Sequence, residues 1–298
     1  MNWFLYAIAS PALYSLTNYI EKFLVEKRVK NPLLVPTFGG LIILLLGILI
    51  LAIKHFPILP LMPLILIILS GVFLYLYLIP YFQALVLDET SRIVPLFGAS
   101  PIFVLIMSYL FLGESLSMKQ IFGFVLILIG GFAISSKKID LKIFIPRKTF
   151  WLMMVSAFLW SITVILFKFV VISSDFWTTF AYESIGTGLA SIVVLIVKWR
   201  EIHLFVTKSF KRDIVILFIL NSIVGVIAQY SFSVAILLAP AALVSIIGGT
   251  QPFFVLVFGV FLSLFFPHII KENIERKVLV SKILLIVLIF TGIVLIYY

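Results

Sequence analysis

The chain has 298 residues, 63% of them hydrophobic and 11% charged, with a formal net charge of +10 and a mean hydropathy of +1.29. A soluble domain carries about 25% charged residues, so this chain cannot cover a globular surface with polar groups and reads as a polytopic membrane protein without a soluble domain. The positive charge lies in the loops, where it signals topology and anionic lipid contact rather than nucleic acid, and the absence of Cys excludes disulfides and thiolate metal sites.

A membrane span needs roughly 20 largely apolar residues. Ten candidates follow in chain order, near 3–24, 34–53, 61–86, 93–112, 119–135, 150–171, 176–197, 213–237, 240–266 and 279–297. Each is expected to be a helix, because hydrocarbon does not tolerate unpaired backbone. The first run lacks a basic leader and a small-residue cleavage site and contains Asn18, Glu21 and Lys22, so it reads as a retained span rather than a signal peptide. Short connections at 87–92, 113–118, 172–175 and 238–239 force neighbouring helices antiparallel. The basic stretch around 139–148 joins the two halves, 1–138 and 149–298. The basic loop 198–213 has room for a short interfacial helix carrying Trp199, Leu204 and Phe205, and 267–277 reads as an insertion.

The halves repeat. Tyr14-Ser15-Leu16-Thr17 followed by Lys22-Phe23 recurs as Trp160-Ser161-Ile162-Thr163 followed by Lys168-Phe169, at an offset of 146. Ala84-Leu85 and Pro101 recur as Ala235-Ile236 and Pro252 at 151, and Gly131 recurs as Gly292 at 161, the last jump matching the insertion. Each half then holds five spans. An odd number makes the halves enter the bilayer with opposite polarity, an inverted repeat of the kind that builds secondary transporters.

The run Glu89-Thr90-Ser91-Arg92-Ile93-Val94-Pro95-Leu96-Phe97, with Ser100-Pro101-Ile102-Phe103, Leu112-Gly113-Glu114, Gly123 and Gly130-Gly131, resembles the EamA-type repeat of the drug/metabolite transporter superfamily. Asn18-Tyr19-Ile20-Glu21-Lys22 resembles the first-helix pattern of one of its branches. In the second half, Phe265 stands where the first has Glu114. The resemblance implies ten helices, secondary transport of a small organic metabolite and cytoplasmic termini. The charge count disagrees on orientation. Of 22 Lys and Arg, 18 lie at the connections 1–2, 3–4, 5–6, 7–8 and 9–10, which the positive-inside rule assigns to the cytoplasm, leaving both termini outside.

Polar groups at membrane depth are costly and face a cavity or a partner. Tyr14, Asn18 and Lys22 form one helical stripe. In the second half Trp160 is the mate of Tyr14, Thr163 that of Thr17 and Lys168 that of Lys22, and an aromatic there can wall a site by stacking or cation–π contact. Tyr77 and Tyr81 share a face, as do Gln229 and Ser233. Pro80 predicts a kink that frees a carbonyl. Gln251 beside Pro252 matches Ser100 beside Pro101, and Gly98, Gly248 and Gly249 permit a hinge there. Lys168 and Glu183 flank one short turn, both roughly 9–13 Å deep at 1.5 Å per residue, so an ion pair between them is expected. Glu183 is the best candidate for proton coupling. Glu114 is adequately explained by loop capping or gating.

These residues point to alternating access around a midplane cavity, driven by a proton or by exchange, in the plasma membrane of a prokaryote and as a monomer or dimer. Aromatics and amides around one or two Lys suggest a small zwitterion or carboxylate such as an amino acid. No P-loop, cofactor motif or metal cluster is present in the sequence. A membrane-embedded enzyme is disfavoured because His55, His203 and His268 lie in loops or at span ends, far apart. A channel or lipid scramblase is the remaining alternative, weakened by the lack of charged rings.

Overall fold

The computed structural model describes residues 2–29, 31–88, 90–134, 148–209, 212–265 and 276–297. Among these, every regular element is helical. The first half contains α1 (Trp3–Phe23, followed by a π-helical turn Leu24–Arg28), α2 (Leu34–Ile53), α3 (Leu61–Leu76), α4 (Leu78–Leu87), α5 (Thr90–Phe97), α6 (Ser100–Leu112) and α7 (Met118–Ile134). The second contains α8 (Lys148–Val171), α9 (Phe176–Val197), α10 (Trp199–Ser209), α11 (Arg212–Leu238), α12 (Ala241–Gly248), α13 (Gln251–Phe265) and α14 (Arg276–Tyr297). Residues 139–147 of the expected linker and 267–275 of the expected insertion lie outside the described residues.

Among the described residues, six stretches are long and apolar enough to cross a bilayer: Leu34–Ile53, Leu61–Leu87, Lys148–Val171, Phe176–Val197, Arg212–Leu238 and Ala241–Ser263. Shorter apolar helices cover Ser100–Leu112, Met118–Gly130 and Val287–Ile296. α1, with Asn18, Glu21 and Lys22 in it, is not among them. The expected loop helix is present as α10, with Phe205 buried and Trp199 and Leu204 exposed.

The bundle is apolar on its exterior as well as in its core, and small hydroxyls are buried between the helices. Ile53, Phe111 and Ile196 are 69%, 67% and 68% exposed, whereas Ser15, Ser161 and Ser191 are fully buried. Those hydroxyls return to the carbonyls one turn earlier, Ser15 to Pro11 at 2.6 Å, Ser161 to Ala157 at 2.7 Å and Ser191 to Thr187 at 2.9 Å. A small hydroxyl that satisfies itself in this way lets two helices approach without stranding a polar group.

Local sequence sets the breaks. Asn2 and Asp175 cap α1 and α9 by accepting from Phe4 N (3.2 Å) and Thr178 N (2.9 Å). Gly113, at φ 66°, closes α6 in the left-handed conformation that a Cβ disfavours. Pro80 withholds the N–H that Leu76 would need, and the third span breaks between α3 and α4. The Tyr77 carbonyl at that break takes the Ser156 hydroxyl at 2.9 Å. The next span breaks at Gly98-Ala99, and α12 parts from α13 at Gly249-Thr250, at the repeat offset of 151.

Contacts recur at the same offsets. Lys22 Nζ donates to the carbonyls of Leu85 (2.7 Å) and Asp88 (2.8 Å), at the end of α4. Lys168 Nζ donates to those of Ile236 (2.6 Å) and Ala239 (2.9 Å), at the end of α11. The serines cross between halves: Ser15 Oγ reaches Gln251 O at 3.2 Å and Ser161 Oγ reaches Ser100 O at 3.1 Å.

The two ends of the bundle differ. One, here the terminal end, carries the start of α1 and the connections 54–60, 113–117, 172–175 and 239–240. It is tied by Lys54–Asp175 at 3.4 Å, by Tyr182 OH on Pro57 O at 2.9 Å, and by Glu114. Glu114 accepts from the first N–H groups of α12, Ala241 at 3.0 Å and Ala242 at 3.3 Å, where a helix N-terminus favours negative charge. The opposite, basic end carries 24–29 and 31–33, Asp88 and Lys198, with Arg28–Asp213 at 3.3 Å.

Candidate functional site

A cavity of about 170 Å³ lies among α1, α2, α3, α4, α5, α6, α8, α9, α11, α12 and α13. Its floor is at mid-depth, at the two helix breaks (Gly98, Ser100, Gly248, Gly249), and its walls extend toward the basic end along Asn18 and Glu21 of α1, Val35 of α2, Tyr81 of α4 and Asn221 of α11.

Trp160 is the centre of the aromatic wall. Its ring meets Tyr14 at 6.1 Å, Tyr77 at 5.0 Å, Phe97 at 6.0 Å and Phe232 at 5.3 Å, mostly edge to face. Such pairings hold rings in fixed orientations at about 0.5–1.5 kcal/mol each beyond burial. The helix periods expected from the sequence therefore bring Tyr14, Asn18, Tyr77, Tyr81, Trp160, Gln229 and Gln251 together on one cavity.

Two carboxylates are tied into this wall. Glu183 is 1% exposed and accepts from Ser70 Oγ at 2.6 Å and from Gln229 Nε2 at 3.3 Å. Gln229 Oε1 accepts in turn from the Tyr14 hydroxyl at 2.6 Å, so Glu183 connects to the cavity through one amide and one phenol. Glu21 lines the cavity itself. The Tyr81 hydroxyl lies 3.0 Å from its Oε2 and 3.1 Å from Asn18 Oδ1, and Asn221 Nδ2 donates to its Oε1 at 3.4 Å.

The expected Lys168–Glu183 ion pair does not form. Glu183 is held by neutral donors, and Lys168 spends its protons on the last carbonyls of α11, which have no intrahelical partner. Lys22 does the same for α4 and also pairs with Glu26 at 2.9 Å. Neither Lys lines the cavity, and nor do Thr163 and Ser233. Thr163 is buried against Ser70, with Oγ1 3.3 Å from its carbonyl, and Ser233 Oγ has no hydrogen-bond partner. The stripe Tyr14, Asn18, Lys22 thus splits: its first two members face the cavity and the third turns to the neighbouring helix end.

The sequence does not single out Glu21 and Ser70 as site residues, and it offers Asn221 only as one of the polar residues of its span, with Gln229 and Ser233. Glu21 had a signal, because it follows Asn18 by three and Tyr14 by seven and so shares their face. Ser70, a lone hydroxyl in an apolar run, had none.

An all-helical bundle with an apolar exterior and several helices long and apolar enough to cross a bilayer fits an integral, multi-pass membrane protein with an aromatic, amide-lined cavity. Residues 1–136, the first half of the chain, match the model of the EamA-like transporter family, consistent with the resemblance to the drug/metabolite transporter superfamily. One solved protein crystal structure superposes at a TM-score of 0.70 with 15% identity, over 99% of this chain and 95% of the other, a likeness of fold alone. No curated protein sequence matches significantly.

Proposed function

We propose that the chain is a secondary transporter of a small organic metabolite, working by alternating access between two inverted five-helix repeats, 1–138 and 149–298, joined through 139–148. The recurring bonds support the two-repeat part. Lys22 and Lys168 cap equivalent helix ends, and Ser15 and Ser161 reach equivalent carbonyls in opposite halves. The ten-span count extends the six long apolar helices to the shorter ones and to α1.

The single observation that carries alternating access is a mismatch between equivalent seams. α3 packs along α9 so closely that a Cβ on Gly71 would collide with the Glu183 carbonyl and come 2.8 Å from Gly186 Cα. By the repeat offsets, the equivalent seam is α11 against α2, Ser222 against Gly40. There the helices touch over a short stretch only, and the cavity runs between them. A symmetric pair of seams with one shut and one open is what a rocking carrier stopped at one end of its cycle presents. The positive-inside rule makes the open, basic end cytoplasmic, in the plasma membrane of a prokaryote.

Tyr14, Asn18, Tyr77, Tyr81, Trp160, Gln229 and Gln251 form the substrate wall. Lys22, Thr163, Lys168 and Ser233 support it from behind. Glu183 couples transport to a proton, since it bridges the closed α3–α9 seam and the cavity. Counterflow in proteoliposomes tests the reading. Labelled solute entry must saturate and be accelerated by unlabelled solute on the far side, and Glu183→Gln must retain this exchange while losing accumulation driven by a pH gradient. Linear flux indifferent to solute on the far side would identify a channel instead.

A further inference from the structure

We propose that the substrate is a small organic cation, an amine whose ammonium group is held by Glu21 and whose apolar body lies against the Trp160 cluster. This rests on the transport reading above and replaces the carboxylate expected from the lysines.

The cavity has one charged side chain on its wall among the described residues, and it is an acid. Glu21 lines it, whereas Lys22 and Lys168 do not and are engaged by backbone carbonyls. Among the described residues no Lys or Arg pairs with Glu21. Its two oxygens accept from neutral groups only, one from Tyr81 and one from Asn221. A carboxylate in a desolvated wall without a counter-ion is a poor neighbour for a second anion and a good one for a cation.

The polar atoms around Glu21 fit the same ligand. Asn221 donates to Glu21 through Nδ2, and its Oδ1 is buried without a partner in the protein, so a small turn of the amide would bring a second acceptor beside the carboxylate. An ammonium offers three donors and no acceptor, and this group of atoms can take at least two of them. Asn18 Nδ2 and Ser245 Oγ, on cavity-lining residues 5% and 4% exposed, are also buried without a partner, and a turn of either side chain would offer a donor to a hydroxyl or ether oxygen on the same molecule.

The remaining wall supplies what a cation with an apolar body needs. Tyr14 and Tyr77 stand with Trp160 between Glu21 and the floor, presenting faces and edges of π systems. Glu21 and Tyr14 are two helical turns apart on α1, a rise of about 10 Å, which is the reach of an arylalkylamine. Stacking and edge contacts act on the apolar body at the far end of that span, while the ammonium, beyond the roughly 6 Å reach of cation–π attraction to that cluster, is held by the carboxylate. A carboxylate ligand would have to place its charge against Glu21 or forgo charge recognition altogether.

The test uses the full-length protein in detergent and isothermal titration calorimetry with three probes of one body and different heads: 2-phenylethylamine, 3-phenylpropionate and 2-phenylethanol. The expected result is that the amine binds at least tenfold more tightly than the acid or the alcohol. Glu21→Gln should abolish that preference, and Glu201→Gln, an exposed acid on α10 away from the cavity, should keep it. The head-group ranking in the unmodified protein stands independently of whether any variant folds. An acid that binds as well as the amine, an amine preference that survives Glu21→Gln, or no binding by any probe overturns the proposal. Because the readout is binding, it separates from the transport reading. Glu21-dependent amine binding without counterflow keeps the cation site and removes the carrier, whereas saturable counterflow of an anion does the reverse.

Discussion

In the proposed alternating-access cycle the α3–α9 seam sets which end of the bundle is shut, so Gly71→Ala should shift the balance between the two access states. In this structure a methyl at position 71 meets backbone, the Glu183 carbonyl and the Thr187 nitrogen (2.6 Å), neither of which can swing aside as a side chain does. Overpacking a close contact costs about 1–3 kcal/mol. Because the clash exists only while the seam is closed, the cost falls on one state alone, and the population ratio moves by roughly 5- to 150-fold. The sequence has no Cys, so a single reporter can be placed without background labelling. Gly248→Cys suits it: the position lines the cavity and a Cβ there meets nothing within 4 Å. In oriented proteoliposomes, a membrane-impermeant maleimide should label this cysteine from the basic end. Adding Gly71→Ala should raise labelling from the terminal end and lower it from the basic end. A Gly71→Ala protein that loses thermal stability while the labelling ratio stays unchanged would show that the seam is ordinary packing, and the alternating-access argument would fail with it.

The complementary substitution is Gly39→Leu. A Cβ at Gly39 meets only Ser222 Oγ, at 3.8 Å, so the thermal midpoint of the purified protein should hold while counterflow collapses, the new side chain standing where α11 must land. Retained counterflow would mean that α2 and α11 never close. Lys168→Ala leaves the carbonyls of Ile236 and Ala239 without their donor in a 7% exposed setting, and should lower stability by about 1.5–3 kcal/mol. Lys22→Ala should cost less, since its side chain is 16% exposed. Equal losses in chemical denaturation would contradict that ordering. Asp175 caps α9 at the terminal end. Burial pushes its carboxyl up, but the bonds from Thr178 and Lys54 outweigh this and hold it below the usual 3.8. Its contribution is therefore complete above that ordinary value and is lost as pH falls through the lowered one. Asp175→Ala should cost about 1 kcal/mol at pH 7, and the gap to the unmodified protein should close on acidification below the usual 3.8. A gap independent of pH would remove the carboxylate from the explanation.

Much of this protein is written locally. Hydropathy and spacing determine where the helices lie, because each must satisfy its own backbone in hydrocarbon. Gly98, Pro80 and Gly248-Gly249 mark the breaks, since backbone propensity acts within a few residues. The repeat offsets are likewise legible, and with them the face shared by Tyr14 and Asn18 and the equivalent place of Trp160. What only tertiary structure decided is the choice of partner. Lys168 and Glu183 are close in sequence depth, yet the lysine meets the end of α11 and the acid meets Ser70 and Gln229. In a low-dielectric interior an ion pair competes with uncapped carbonyls and neutral donors, and which of these lies within about 3 Å depends on how distant helices cross. The charge of the cavity follows from that competition: both lysines are drawn away to helix ends, and Glu21 is left facing the solute.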